Sequence, residues 1–112
     1  MKGTHLGEFE EIVLLTIASL HGNAYSVNIV DEIGRVTERE VKLGVVHSVL
    51  NRLEEKGFIA SELGEPTKER GGRRKRFFHI SHAGKIALMK AKEQRDTLWS
   101  TIPDTVFKGI HG

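Results

Sequence analysis

The spacing of apolar residues changes twice along the 112-residue chain, and these changes restrict its fold more than any other feature. Up to Gly57, apolar residues recur every three or four positions, which is typical of amphipathic helices. From Phe58 to Ile80 the pattern becomes that of short strands, and after Ser81 the helical spacing returns. The sequence therefore predicts a mainly α-helical fold with one small β-hairpin.

Three helices are predicted before the hairpin. Their apolar stripes place them at about residues 7–20, 24–35 and 43–56. Asn23 is the expected cap of the second helix, because its side chain can accept a hydrogen bond from a free backbone N–H group. The predicted buried side of the third helix consists of Leu43, Val46, Val49, Leu50 and Leu53.

A hairpin and a fourth helix follow. Strands are predicted at residues 58–63 and 75–80, and Ser81 is expected to cap a helix that runs from residue 82 to about residue 100. Three short helices followed by a two-stranded hairpin, called the wing, form the winged helix-turn-helix architecture. The fold class is therefore a winged helix-turn-helix with an added C-terminal helix.

The last helix has no obvious place within that compact unit. Its apolar side chains need a cover, and a second subunit is the simplest one. We predict a winged helix-turn-helix DNA-binding domain at residues 1–80, a dimerisation helix at 81–101 and a C-terminal tail at 102–112. The helix residues assigned to the dimer interface are Ile86, Leu88, Met89, Leu98 and Trp99.

Positive charge is concentrated in one segment, residues 68–76, called the basic segment. The net charge of the chain is only +2, yet this segment holds six cationic residues and a single acid, Glu69. Such a strip on a nearly neutral body indicates a localised anionic partner. We predict that it neutralises DNA phosphates or enters a minor groove. Its candidate DNA-binding residues are Lys68, Arg70, Arg73, Arg74, Lys75 and Arg76.

The outward face of the third helix carries groups that can read base edges. Ser48 and Asn51 both donate and accept hydrogen bonds, and asparagine pairs with adenine in a standard geometry. Gly44 removes bulk near the helix start, where the backbone would approach a groove. Most such faces are simply solvated, but beside the basic segment we favour DNA binding. The predicted contact residues of this helix are Lys42, Gly44, His47, Ser48 and Asn51.

Other classes of protein find little support. The chain has no cysteine, and no run of about 20 apolar residues that could span a bilayer. Its start lacks the apolar stretch of a signal peptide, so we expect a cytoplasmic protein. His79 and His82 have no cysteine or carboxylate cluster beside them, and we expect ordinary polar histidines rather than a metal site. No catalytic arrangement emerges, so neither an enzyme nor a cofactor is predicted.

Four segments resemble the PadR-like transcriptional regulators. Residues 6–15 are similar to the opening helix of that family, residues 43–57 to its recognition helix and the exit from it, and residues 64–67 and 70–78 to its wing. The resemblance spans about residues 6–99. It implies a cytoplasmic transcription factor, commonly a repressor, that acts as a homodimer on a palindromic operator.

The resemblance also implies how the dimer forms. Short members of the family carry a single C-terminal helix that pairs across the dimer, often against the first helix of the partner, which adds Phe9 to the predicted interface. In some of them, aromatic residues of this helix line a pocket for flat hydrophobic compounds. Trp99, the single tryptophan, therefore either packs at the dimer seam or helps to bind a small hydrophobic effector.

Two residues depart from the family pattern near the predicted DNA contacts. His47 stands where the family usually has a tyrosine, so a contact from a phenol group is not implied. Lys42 stands where a serine or similar cap often precedes the recognition helix, and its charge opposes the helix dipole. Lys42 is either retained for a phosphate contact or simply solvated.

One other function remains as an alternative, and a third finds too little support. A winged-helix module that docks an acidic protein surface would also use a basic wing, although it would not need so dense a charge. A protein that binds single-stranded nucleic acid would need several exposed aromatic residues for stacking, and Phe77 is the one candidate.

Overall fold

A computed structural model describes residues 5–66 and 74–110 of the chain. Three helices, an antiparallel hairpin and a long helix follow one another, so the predicted winged helix-turn-helix fold with a C-terminal helix is confirmed. The elements are α1 Glu8–Ser19, α2 Ser26–Thr37, α3 Leu43–Glu55, β1 Ile59–Pro66, β2 Arg74–Ile80, α4 His82–Ser100 and a short 3-10 turn at Asp104–Phe107.

The core lies between the first three helices and the base of the hairpin. Each fully buried aliphatic side chain stabilises the fold by roughly 1.5–3 kcal/mol, so the shared core fixes the position of α3. The buried apolar residues are Val13, Leu14, Ile17, Ala24, Ile29, Ile33, Val46, Val49, Leu50, Leu53, Phe58, Ile59 and Phe78.

The prediction that Leu43 is buried was wrong. Its side chain is 43% exposed, whereas the other four residues predicted for the buried side of α3 are in the core. Leu43 is the first residue of α3. The seven-residue spacing between Leu43 and Leu50 places both side chains on the same side of the helix. A residue in the first turn is buried, however, only where a neighbouring element also covers that end of the helix.

The predicted start of α2 was also wrong, because Tyr25 rather than Asn23 is its N-cap residue. Ala24 pairs in extended conformation with β2, and the backbone N–H of Phe78 donates to the carbonyl oxygen of Ala24 at 2.8 Å. A residue held in this way cannot be helical, so α2 begins after it. The side chain of Asn28 accepts a hydrogen bond from the Tyr25 backbone N–H at 2.8 Å and reinforces the helix start.

The hairpin is a two-stranded antiparallel sheet in regular register from Ile59 opposite Ile80 to Leu63 opposite Arg76. The register then shifts before Pro66, which lies opposite Arg74. The base of the wing is thus joined to the core, while the residues between the two strands lie outside the described ranges.

Helix α4 begins against the base of the wing. The Ser81 hydroxyl accepts from the Gly84 N–H at 3.1 Å, which confirms Ser81 as the cap, and donates to the Gly57 carbonyl at 2.6 Å. A Cβ atom on Gly84 would lie only 2.2 Å from the carbonyl oxygen of Phe58. The helix backbone therefore touches the chain that leads into β1, with no room for a side chain.

Candidate nucleic-acid interface

The residues predicted to read bases share one exposed face of α3. Gly44, His47, Ser48 and Asn51 are all exposed. Their spacing of three and four residues places them on the same side of a helix, opposite the side that Val46 and its neighbours bury. Nothing lies within 4 Å of the point where a Cβ of Gly44 would be, so the first turn of α3 is open to a large partner.

Lys42 is the N-cap residue of α3, and it is exposed. Its side chain makes no capping hydrogen bond, while its carbonyl oxygen accepts from the N–H groups of Val45 and Val46 at 3.1 Å each. The first N–H groups of a helix have no partner within the helix and carry partial positive charge. A lysine ammonium beside them adds to a local environment that favours an anion such as a phosphate.

The described cations of the basic segment are Arg74, Lys75 and Arg76, and all three are exposed on β2. Lys68, Arg70 and Arg73 lie outside the described residues. The Lys75 ammonium sits 4.2 Å from the centre of the Tyr25 ring, a cation–π contact between the wing and the start of α2. The Tyr25 and Phe77 rings also meet in a T-shaped contact, with 5.7 Å between the ring centres.

Arg76 is held by the body of the protein. Its Nη1 donates to the Ser61 hydroxyl at 3.0 Å, and that hydroxyl donates to a carboxylate oxygen of Glu54 on α3, also at 3.0 Å. This chain of hydrogen bonds connects β2, β1 and the last turns of α3. It links the base of the wing to the end of α3.

A groove of about 760 Å³ lies between the start of α2, the outer side of α3 and β2. It brings two predicted helix residues, His47 and Asn51, together with the three described cations of the wing. Tyr25, Ser26 and Val27 complete one wall. The sequence did not predict this contribution of α2, because it placed Tyr25 inside the helix rather than at its start.

Two apolar side chains also lie at the start of the recognition helix. Leu43 is 43% exposed and Val45 is 49% exposed, on either side of Gly44. Val45 was not among the predicted contact residues. The sequence held no clear signal for it, because Val45 lies four residues before the buried Val49 and so fits the spacing of the core positions.

Two carboxylates of α1 hold the recognition helix and the last helix in place. Glu10 is largely buried and accepts from the Lys56 ammonium at 2.9 Å and from the Gly7 backbone N–H at 2.8 Å. Burial raises the pKa of Glu10, but the hydrogen bond from Gly7 and the ammonium of Lys56 outweigh it and hold the pKa below its ordinary value of 4.5. Glu11 forms an ion pair with Arg95 of α4 at 2.6 Å.

The residues predicted for a dimer interface fall into two groups. Phe9 and Leu88 are half-buried against the core, and the Arg39 guanidinium lies 5.4 Å from the centre of the Phe9 ring. The others are open to solvent along α4. Their exposed fractions range from 41% to 67%, and the residues are Ile86, Met89, Leu98 and Trp99.

Trp99 stacks on Phe107 of the chain's own 3-10 turn, with 5.7 Å between the ring centres. A cavity of about 460 Å³ lies beside it, lined by Leu15 and Met89 as well as by charged side chains of α4. Among the described residues, no three histidine or acidic side chains are grouped closely enough to hold a metal ion. None of the described helices combines the length and apolar character that crossing a membrane requires.

Solved structures of PadR proteins share this fold. The chain is similar to a PadR-like transcriptional regulator from Bacillus cereus, with a TM-score of 0.71, 18% identity, and coverage of 91% of this chain and 93% of that one. A PadR family regulator from Clostridium difficile gives a TM-score of 0.65 at 20% identity, over 82% and 92% of the two chains. A PadR family transcriptional regulator from Eggerthella lenta gives a TM-score of 0.67 at 18% identity, over 92% of this chain and 88% of that one.

The family of the chain is identified from its sequence. No curated protein matches the chain. The family model described as the transcriptional regulator PadR-like family, however, matches residues 14–90, which include most of the described core and the wing. The chain belongs to the PadR-like family of transcriptional regulators.

Proposed function

We propose that this PadR-like regulator binds a palindromic operator as a homodimer and represses transcription in the cytoplasm. In each subunit α3 enters the major groove, and the wing contacts the adjacent phosphates or minor groove. The observation that carries the proposal is the groove in which His47 and Asn51 of α3 face Arg74, Lys75 and Arg76 of the wing.

This arrangement suits double-stranded DNA for two reasons. Cations along β2 neutralise phosphates and contribute affinity without regard to sequence, whereas Ser48 and Asn51 supply donors and acceptors for base edges. The start of α3 adds free N–H groups and Lys42. Repression is the simplest outcome, since a protein that occupies promoter DNA excludes polymerase from the same site.

A homodimer is supported by the surface of α4. Four apolar side chains on this helix are at least 41% exposed, and Gly84 is its one buried residue. A second copy of the chain would cover this surface and would place two recognition helices in a symmetric pair, which matches a palindromic site. Whether a hydrophobic effector binds near Trp99 stays a prediction, and titration of the tryptophan fluorescence with flat aromatic compounds tests it.

Selection of binding sites from random double-stranded DNA tests the proposal. We expect an inverted repeat to be enriched, and the protein to prefer it over shuffled DNA by at least about 1,000-fold at physiological salt. Failure to enrich any sequence, with equal affinity for all duplexes, would overturn it. A module that docks an acidic protein partner would likewise enrich no sequence and show equal affinity for all duplexes.

A further inference from the structure

The first turn of α3 exposes two aliphatic side chains where a DNA-reading helix would be expected to be polar. Leu43 and Val45 are 43% and 49% exposed, and Gly44 between them has open space around it. Single exposed aliphatic residues are common on protein surfaces. Here, however, two of them flank the most accessible backbone of the proposed DNA-binding face.

Each aliphatic residue stands at the start of a row of candidate base-reading groups. Residues three or four apart lie one above the other on a helix. Leu43 therefore precedes His47 and Asn51 on one side of the exposed face, and Val45 precedes Ser48 on the other. Because a recognition helix contacts base edges mainly through its N-terminal residues, these two side chains lie at the part of α3 that would go deepest into the groove.

The major groove offers one apolar group on its base edges, the C5 methyl group of thymine. All other recognition groups there are hydrogen-bond donors or acceptors, which an aliphatic side chain would leave without partners. We infer that Leu43 and Val45 bind thymine methyl groups and so select thymine at two positions of each operator half-site. This inference rests on the proposed function and names the chemistry that part of the recognition helix reads.

The test replaces thymine by deoxyuridine, which removes only the methyl group. An operator is first selected with the wild-type protein, and each thymine of one half-site is then replaced in turn, with binding measured by fluorescence anisotropy. At a contacted position we expect about a fourfold loss of affinity, the value of one buried methyl group. With Leu43→Ala or Val45→Ala, the loss at the corresponding position should disappear.

Matched variants separate methyl recognition from general effects. Val36→Ala removes the same atoms from a valine that is 62% exposed in the last turn of α2, and it should leave the deoxyuridine penalty unchanged. Val45→Thr keeps the shape of the side chain, so a loss of volume cannot explain its effect. Circular dichroism checks that each variant is folded. Val45→Thr should weaken the discrimination between thymine and deoxyuridine less than Val45→Ala does.

The outcomes distinguish the two proposals. If no sequence is enriched, the proposed function fails and the inference fails with it. If an operator is found but its half-sites tolerate deoxyuridine at every thymine, or contain no thymine, methyl recognition alone is overturned. Methyl recognition by these two residues is also overturned if the deoxyuridine penalty persists in both alanine variants.

Discussion

Single residues of α1 connect it to α3 and α4. The glutamates of its first turn suit the helix dipole, but two of them do more than that. Glu10 connects α1 to the last turn of α3 through Lys56, and Glu11 connects it to α4 through Arg95. Both carboxylates have side chains no more than 10% exposed. They therefore join α3 and α4 to one common support.

Replacing Glu10 by Gln is expected to lower stability at neutral pH by roughly 1.5–3 kcal/mol, the range for hydrogen bonds to charged groups. Because folding lowers the pKa of Glu10 below 4.5, the carboxylate stabilises the folded state above that value, and the contribution is lost as pH falls through the folded pKa. Urea unfolding of the variant should therefore depend less on pH than that of the wild type in the acidic range.

Glu8→Gln is the matched control for this prediction. Glu8 lies in the same turn and pairs with Arg39 at 3.0 Å, but its side chain is 65% exposed. An exposed pair of this kind contributes at most about 1 kcal/mol. Equal effects of the two substitutions on stability and on its pH dependence would contradict the role given to Glu10.

Gly44→Ala is expected to separate stability from DNA binding. Alanine is the better helix former by up to about 1 kcal/mol, and no atom stands in the way of its methyl group. The variant should therefore unfold at the same or a higher urea concentration. Its affinity for the operator should fall by about tenfold, or about 1.4 kcal/mol, because the methyl group keeps the backbone away from the groove. Unchanged affinity would remove Gly44 from the interface.

The sequence predicted the exposed face of α3 better than its ends. The spacing of Val46, Val49, Leu50 and Leu53 determines one buried side, and the polar residues between them had to face outward. Spacing did not predict that Leu43 would be exposed, since exposure there depends on how far neighbouring elements reach. The burial of Glu10 depends in the same way on Lys56, which is distant in the sequence and close only in the fold.

At the level of elements, the wing is anchored at its base, and one of its described cations takes part in the anchor. Phe78 pairs with Ala24, and Arg76 is bonded to Ser61. The start of α4 agrees with the prediction, because Ser81 caps it. The start of α2 could not be predicted in this way, since the pairing of Ala24 with a strand more than 50 residues later overrides the local preference of Asn23.

Replacing Arg74, Lys75 and Arg76 together by Ala is expected to weaken binding to all DNA sequences alike. Each phosphate contact that is lost reduces the slope of log K against log salt by about 0.9. Fluorescence titrations at several salt concentrations measure this slope. Lys90→Ala, which removes an exposed cation of α4, is the control and should leave the slope unchanged. An unchanged slope in the triple variant would exclude these wing residues from phosphate binding.

The whole molecule is elongated, with principal extents of 59 × 34 × 21 Å. The first turns of α4 pack on the winged domain through Gly84 and the half-buried Ala87 and Leu88, and Arg95 further along the helix pairs with Glu11 of α1. The later turns carry the exposed Leu98 and Trp99. Helix α4 thus projects from the winged domain as an arm. We expect the exposed apolar side chains of this arm to pack against a second copy of the chain.

Met89→Glu is expected to raise the dimer dissociation constant by about 100-fold or more, because an unpaired buried charge costs roughly 3–5 kcal/mol. Met89 is 65% exposed in the single chain, so the fold of the subunit should survive. Sedimentation equilibrium at micromolar concentration measures the change. Gln94→Glu adds the same charge at another exposed position of α4 and should leave the dimer intact. A wild-type protein that is monomeric under these conditions would contradict the proposed assembly.

The close contact at Gly84 has a consequence for the DNA. Since the α4 backbone lies close to the Phe58 carbonyl beside the cap at Ser81, a tilt of the arm there would disturb both contacts. In the proposed dimer, the distance and rotation between the two recognition helices are then set by rigid protein. Inserting one base pair at the centre of an operator turns one half-site by about a tenth of a helical turn relative to the other. Such a dimer would meet that change by bending or twisting the DNA, and the operator spacing it prefers would depend on the first turn of α4.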